Sequence, residues 1–364
     1  MSDNRRRYRA IKNAMKQLCP TEPKGNNARH LQTLAALISG IVGSKRTNLP
    51  AIAGQVPDGT KRESRVKKYY RWLSNERIGT ELYFLPFADA LLKSLAHRAL
   101  VLAMDGSEAG RGCLTLMISV IYRKRALPLA WIVVKGNEGH FSEETHIELL
   151  KRVHSLVPQG CTVIFLGDGE FDGVTLQATL EAFQWEYVCR TAKNAQLSAE
   201  GERFAFQDLI LQRGRRIGVP NALFTLQDYG PILAIAVWDK EYKVPIYLVT
   251  NMDLVDEACD WYSKRFRVET FFSDQKSRGF HLNKSRISDP LRLSRLMIAA
   301  CLAYIWIIFL GALAKLEGWV VVIHRTDRCD LSLFQLGLCL LEHFLNEHLP
   351  IPVAFQMLEL EAFA

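Results

Sequence analysis

ALVLAMDGS (residues 99–107) and CTVIFLGDGEFDG (residues 161–173) are the two stretches whose reading decides the fold. Each is an apolar run of strand length that ends in an aspartate followed by a glycine. Ala99 to Met104 gives way to Asp105, and the second run stops at Asp168. Outward from the first, CLTLMISVIY (113–122) and LPLAWIVV (127–134) are apolar and β-branched, and short turns join the three as a meander. Beyond the loop KGNEGHFSEE, the segment THIELLKRVHSL places Ile147, Leu149, Leu150, Val153 and Leu156 at helical spacing. A helix at VTLQATLEAFQW and a strand at EYVCRT follow the second stretch. The order is β-β-β-α-β-α-β.

That order is the ribonuclease-H-like arrangement, an α/β fold in which the first and fourth strands are neighbours at the sheet centre. It predicts that Asp105 and Asp168 converge at one sheet edge. Two carboxylates so placed form a hard-oxygen site suited to Mg²⁺ or Mn²⁺. Either aspartate alone reads as a turn residue, since Asp-Gly is a common turn dipeptide. Asp172 rivals Asp168, but Asp168 ends the strand while Asp172 is placed to cap the following helix. From Thr191 to Tyr247 short alternating stretches and turn residues replace the helical period. This predicts a β-rich insertion over 192–245, closed by VPIYLVTN as it returns to the core.

The chain has 364 residues, 49% hydrophobic and 23% charged, which excludes a disordered protein, a collagen-like fibre and a coiled-coil rod. Its eight cysteines never approach CxxC spacing, so they read as reduced thiols of a cytosolic protein and not as a zinc site. No apolar segment follows the basic start MSDNRRRYRA, and no secretory signal is expected. Neither GxxxxGK[ST] nor a His-x-x-His spacing occurs, which argues against ATP use and a histidine–metal hydrolase; His140 is the one histidine whose loop could approach the site.

Charge is uneven. Residues 1–80 hold 17 Lys or Arg against five Asp or Glu, while the remainder is slightly acidic. A basic lobe on a near-neutral body is the footprint of a polyanion binder. In KRESRVKKYYRWLSNER (61–77), Lys67, Lys68 and Arg71 are interleaved with Tyr69, Tyr70 and Trp72, which sets phosphate-binding charge beside planar apolar surface. Ahead of it, helical spacing in RHLQTLAALISGIVGSKR is broken at Gly40 and Gly43. A basic helical DNA-binding domain over 1–95 fits. Leu296 to Ala314 is nineteen residues without a charge, long enough to span a membrane. It follows a very polar segment and has no second such run, so a buried core helix is the preferred reading and no membrane partner is expected.

After the insertion, Trp261 to Arg295 carries nine Lys or Arg and three acids. On one helix, Tyr262, Arg265, Glu269 and Lys276 would fall at about 0°, −60°, −20° and −40°. Such a stripe sets one glutamate among cations, as a metal-assisted phosphodiester site requires. An i,i+4 ion pair of Arg265 with Glu269 on a surface helix is the plain alternative.

The pattern Tyr-x2-Arg-x3-Glu-x6-Lys, as YSKRFRVETFFSDQK, resembles the signature of a large group of bacterial insertion-sequence DDE transposases. LVLAMDGS, LGDGEF and the β-rich insertion are similar to the contexts of that group's first and second acids, and the likeness runs from about Leu100 to Leu340, through HRTDRCDLSLFQLGL. GSEAGRG, after Asp105, is not a strong marker of the group. The resemblance implies cut-and-paste transposition of the encoding insertion sequence, with Asp105, Asp168 and Glu269 as catalytic acids holding two Mg²⁺ ions (Mn²⁺ substituting). It further implies that Tyr262, Arg265 and Lys276 grip phosphates near the element end, with Lys264, Arg267 and Arg278 as neighbouring DNA contacts. Trp238, the only tryptophan of the insertion, is the candidate to stack on a flipped base, against a strand-core role. Expected partners are double-stranded DNA, as terminal inverted repeats and target, and a second copy in an end-paired homodimer. The location would be the bacterial cytoplasm, at the nucleoid. The expected organisation is 1–95 DNA-binding, 96–191 and 246–315 catalytic core, 192–245 insertion, and 316–364 helical. The rivals are a ribonuclease-H-like nuclease or resolvase that cuts without joining, and a catalytically silent DNA-binding descendant.

Overall fold

Leu100–Ala109 (β1) is the strand from which the sheet is built outward. The computed structural model of the protein describes residues 1–18, 24–136, 140–276, 278–325 and 329–359. Cys19, residues 326–328 near the start of HRTDRCDLSLFQLGL and the last five residues of the 316–364 region lie outside them. The strands that follow are β2 (Cys113–Tyr122), β3 (Arg125–Lys135), β4 (Val163–Gly167), β5 (Glu186–Thr191), β6 (Gln196–Ala199), β7 (Glu202–Ala205), β8 (Arg215–Phe224), β9 (Tyr229–Trp238) and β10 (Ile246–Thr250). They form one ten-stranded sheet in the order β3-β2-β1-β4-β5-β10-β9-β8-β6-β7. β1 runs antiparallel to β2 and parallel to β4, so the first and fourth strands are neighbours as the element order predicts. The insertion strands do not stand apart: β9 pairs with β10 and β10 with β5, which carries the same sheet onward.

Among the described residues, six helices precede the sheet: α1 (Asp3–Gln17), α2 (Gly25–Ser44), α3 (Leu49–Gly54), α4 (Arg62–Leu73), α5 (Thr80–Tyr83) and α6 (Leu85–Leu95). Within and after it come α7 (Glu143–His154), α8 (Val174–Ala182), α9 (Val255–Tyr262), α10 (Val268–Gln275), α11 (Pro290–Leu316), α12 (Val320–Ile323) and α13 (Leu333–Asn346). Gly40 and Gly43 do not break α2, contrary to the sequence reading. They let neighbours approach: a Cβ on Gly40 would lie 2.5 Å from Ile52, and one on Gly43 would meet the guanidinium of Arg7. The C-terminal region is helical only through α13, and the described residues beyond it form no regular element.

α11 starts with Asp289 accepting from Arg292 N at 2.8 Å and Pro290 in its first turn, a strong start signal. It is long and apolar enough to cross a membrane, yet its apolar window is wholly buried by protein. β3, α2, α4, α5 and α13 cover it, which is why it is apolar on every face. One hydrophobic core runs from Ile11 through the sheet and α11 to Met357.

Candidate active site

The site begins with register. Ala103 of β1 faces Leu166 of β4; two residues on stand Asp105, inside β1 and not at its end as the sequence predicts, and Asp168, directly past the end of β4. A two-residue step returns to the same face, so the carboxylates rise side by side. Asp105 accepts from Gly106 N at 2.9 Å, and Asp168 from Glu170 N at 3.1 Å. Gly167 allows the turn behind Asp168: a Cβ there would come within 2.7 Å of the Phe171 side chain and 3.1 Å of Cys189 Sγ. Asp172, the rival, is not the cap of α8, which is Gly173. Its carboxylate instead accepts from Thr191 Oγ1 at 2.6 Å, while Glu143 reaches over from α7 to accept from Leu176 N.

Burial pushes the Asp105 carboxyl up to about 6; Arg265 opposes the rise, and Asp168 and Glu269 add to it. Loss of hydration on burial thus outweighs the pull of the neighbouring cation. Arg265 donates from Nη2 to Asp168 Oδ2. The guanidinium is buried, and its Nε has no hydrogen-bond partner among the described residues. A buried unpartnered cationic donor beside two acids is a place for an anionic oxygen.

The single helix expected through Tyr262, Arg265, Glu269 and Lys276 is not formed. α9 ends at Tyr262, a 3₁₀ turn spans Arg265–Arg267, and α10 begins at Val268. Three residues at the tighter 3₁₀ winding shift the phase by about 60°. Tyr262 and Arg265 are therefore buried whereas Glu269 is exposed on the first turn of α10. Burial pushes the Tyr262 hydroxyl up to about 12. Lys276 caps α10 and donates to Ser107 Oγ at 2.6 Å; burial lowers its pKa against the pull of Glu108 and Asp105. No group of three or more His, Cys, Asp or Glu placed to hold one metal ion occurs among the described residues. The two hard-oxygen carboxylates of Asp105 and Asp168 nonetheless fit a divalent cation by their chemistry.

Lys264, Arg267 and Arg278 line an open groove that includes Glu269. Lys264 lies 3.4 Å over the Trp261 ring, and Arg267 donates to Arg123 O at 2.6 Å. Trp238 is half-buried at the end of β9 and donates to Tyr242 O at 3.2 Å. Lys67, Lys68 and Arg71 are exposed on α4. The aromatic surface expected between them is mostly absent: Tyr69 and Trp72 are core residues, and only Tyr70 is exposed, with Arg292 over its ring at 4.7 Å.

Glu170 is the site-adjacent residue that the sequence reading passed over. It accepts from Phe141 N at 2.7 Å and meets His140 Nδ1 at 3.2 Å and His146 Nε2 at 3.4 Å. It thus ties the loop before α7 to the Asp168 turn, and His140 reaches the site's edge only through it. The available signal was an acid two positions past the strand-ending aspartate.

A family model described as Transposase DDE domain matches residues 97–306, a span that includes Asp105, Asp168 and Glu269. Among solved structures, the piggyBac transposase synaptic complex with hairpin DNA is similar at 13% identity and a TM-score of 0.48, over 99% of this chain and 84% of that one. Human ENDOV is similar at 15% identity and a TM-score of 0.28, over 55% of this chain and 97% of that one. No curated protein matches the sequence. With more than half of its length matched by that model, the chain belongs to the transposase DDE domain family.

Proposed function

We propose that this protein is a DNA transposase that moves its own insertion sequence by cutting and pasting, on a ribonuclease-H-like core. In this reading it cleaves the element ends by hydrolysis and joins the freed 3′-hydroxyls to target DNA. The observation that carries it is the level pair Asp105 and Asp168, with the buried Arg265 bound to one acid and keeping a free donor. Asp105, Asp168 and Glu269 would hold the divalent cations, Mg²⁺ or Mn²⁺. The chemistry a divalent cation supplies there is charge neutralisation at the scissile phosphate. Arg265 offers its unpartnered Nε to a non-bridging phosphate oxygen while Nη2 keeps the guanidinium fixed on Asp168. Tyr262, buried at the end of α9, excludes water behind that arginine, and Lys276 sets a second cation beside Ser107 on β1. Glu269, exposed, approaches from the opposite chain segment and raises the negative potential at Asp105. Partners in this reading are the terminal inverted repeats, target duplex and a second copy pairing two ends, in the bacterial cytoplasm at the nucleoid.

The test supplies a pre-cut element end bearing a 3′-hydroxyl, a plasmid and Mg²⁺. Joined product from wild type and none from Asp105→Asn is the expected result. Hydrolysis without joining would replace the reading by a nuclease or resolvase, and binding without either by a silent DNA-binding descendant.

A further inference from the structure

Next to the acid pair lies an open groove of about 1200 Å³. Its described walls carry eight Lys or Arg against three Asp or Glu. Two of the acids are already neutralised, Asp274 by Arg125 at 2.9 Å and Asp330 by Arg325 at 2.6 Å. Besides Arg123 and the paired Arg125, the walls hold Arg98, Lys124, Lys264, Arg267, Arg278 and Lys315, and none of these six is ion-paired among the described residues. They arrive from four places: the segment before β1, the β2–β3 turn, the chain around α10, and the last turn of α11. Arg98, Lys124, Arg278 and Lys315 are exposed. In the two-residue β2–β3 turn, Arg123 is held at a φ of 56°, the left-handed region that favours glycine. The turn keeps two cations where a smaller residue would fit with less strain.

The groove and the acid pair share one member. Glu269 lines the groove and acts on Asp105, whereas Asp105, Asp168, Arg265 and Lys276 do not line it. Strand joining needs two DNA segments at one set of acids, and Arg265 with Lys276 serves the first. Cationic tips set around a trough by separate segments match a phosphate backbone. One helix face entering a major groove would read base edges instead. We infer that this groove holds the target duplex, bound through its backbone without regard to sequence, and brings a phosphodiester past Glu269. The inference rests on the transposase reading above and adds where the second DNA lies.

The test is fluorescence anisotropy of the full-length protein with a duplex unrelated to the element and a duplex carrying an element end, across a salt series. The variant is Arg98→Gln/Lys124→Gln/Lys315→Gln, all exposed positions, with the thermal midpoint as a check of folding. For the unrelated duplex, the slope of log affinity against log salt should fall by about 2.7, or about 0.9 for each phosphate no longer neutralised. Its affinity should weaken at least tenfold while the end duplex keeps its own. Should the triple variant not fold, each single variant should lower the slope by about 0.9. An unchanged slope would overturn the inference, and an equal loss on both duplexes would too, by making the groove an end site. Wild type that joins no DNA, with groove binding still abolished in the variant, would strike the transposase reading alone. Normal joining with unchanged groove binding would strike this inference alone.

Discussion

Asp105 follows a fully buried strand run, and burial, helped by Asp168 and Glu269 and opposed by Arg265, pushes its carboxyl up to about 6. A raised carboxyl pKa means that the metal-free native state holds the proton more tightly than the unfolded chain does. The stability this gives is fully present below about pH 4 and is lost as pH rises through about 6. Asp105→Asn should therefore stabilise the metal-free protein at pH 7, by about 2–3 kcal/mol. The gain over wild type should shrink as pH is lowered from 6 towards 4. Denaturant melts across that range check it, and a variant no more stable than wild type at pH 7 would contradict the assignment of a carboxylate raised by burial. The same proton competes with a cation, so Mn²⁺ affinity measured by calorimetry should fall as pH drops below about 6. The placement of Asp105 and Asp168 was legible in the sequence because each follows an apolar run, although β1 continues past Asp105 to Ala109 and only Asp168 stands at a strand end. That Asp168 and not Asp172 follows the strand directly was legible for the same reason. Burial of Arg265 and the anchoring of Glu170 were not, since both depend on segments distant in sequence that meet only in the folded chain.

Between residues 255 and 275 the chain does not keep one helical period. Wheel angles assume constant winding, and the 3₁₀ turn at Arg265–Arg267 resets the phase, so residues of one nominal stripe divide into buried and exposed sets. The strands β1 to β5 and helices α7 and α8 were legible because each buries a periodic or continuous apolar pattern against its neighbours. α11 was legible as a helix, and as core from the polar segment before it and the lack of a second apolar run; composition alone is the same for core and membrane, and the covering helices decide for core. The close approach of α11 and α13 makes a sharp prediction. A Cβ on Gly337 would lie 1.9 Å from Ile307 O, and one on Gly311 would lie 1.9 Å from Leu333 O. Gly337→Ala must separate the two backbones and should destabilise the protein by about 3 kcal/mol. Chemical denaturation measures this, and a loss below about 0.5 kcal/mol, the range of an ordinary surface substitution, would show that the helices do not pack this closely.

Over the whole molecule, charge was legible in amount and not in use. Part of the basic N-terminal excess is structural. Arg6 donates to the carbonyls of Phe344, Leu345 and Leu349 at the end of α13, buried Arg7 to Ser39 O, and Arg65 to Ala53 O and Asp58 O. Counting charges along the chain cannot separate these from Lys67, Lys68 and Arg71, which stand exposed on α4. The two sets should separate by experiment. Arg6→Gln should cost about 1–3 kcal/mol of stability and leave the salt dependence of DNA binding unchanged. Lys67→Gln/Lys68→Gln/Arg71→Gln should leave stability nearly unchanged and lower the salt slope by about one unit for each phosphate no longer neutralised. Identical effects of the two variants on binding would contradict the division. The N-terminal helices also pack on α11, so the basic lobe and the sheet share one hydrophobic core.

The most direct measurement is cleavage of a plasmid carrying the DNA that flanks the coding segment, with Mg²⁺ and with EDTA, for wild type beside Glu269→Gln. Glu269 is exposed and stands outside the hydrophobic core, so its replacement removes one negative charge and leaves the fold intact. The account predicts metal-dependent double-strand release at the element ends by wild type, abolished by EDTA and reduced by orders of magnitude in the variant, with DNA binding retained. Release by the variant at the wild-type rate, or by wild type in EDTA, would contradict it.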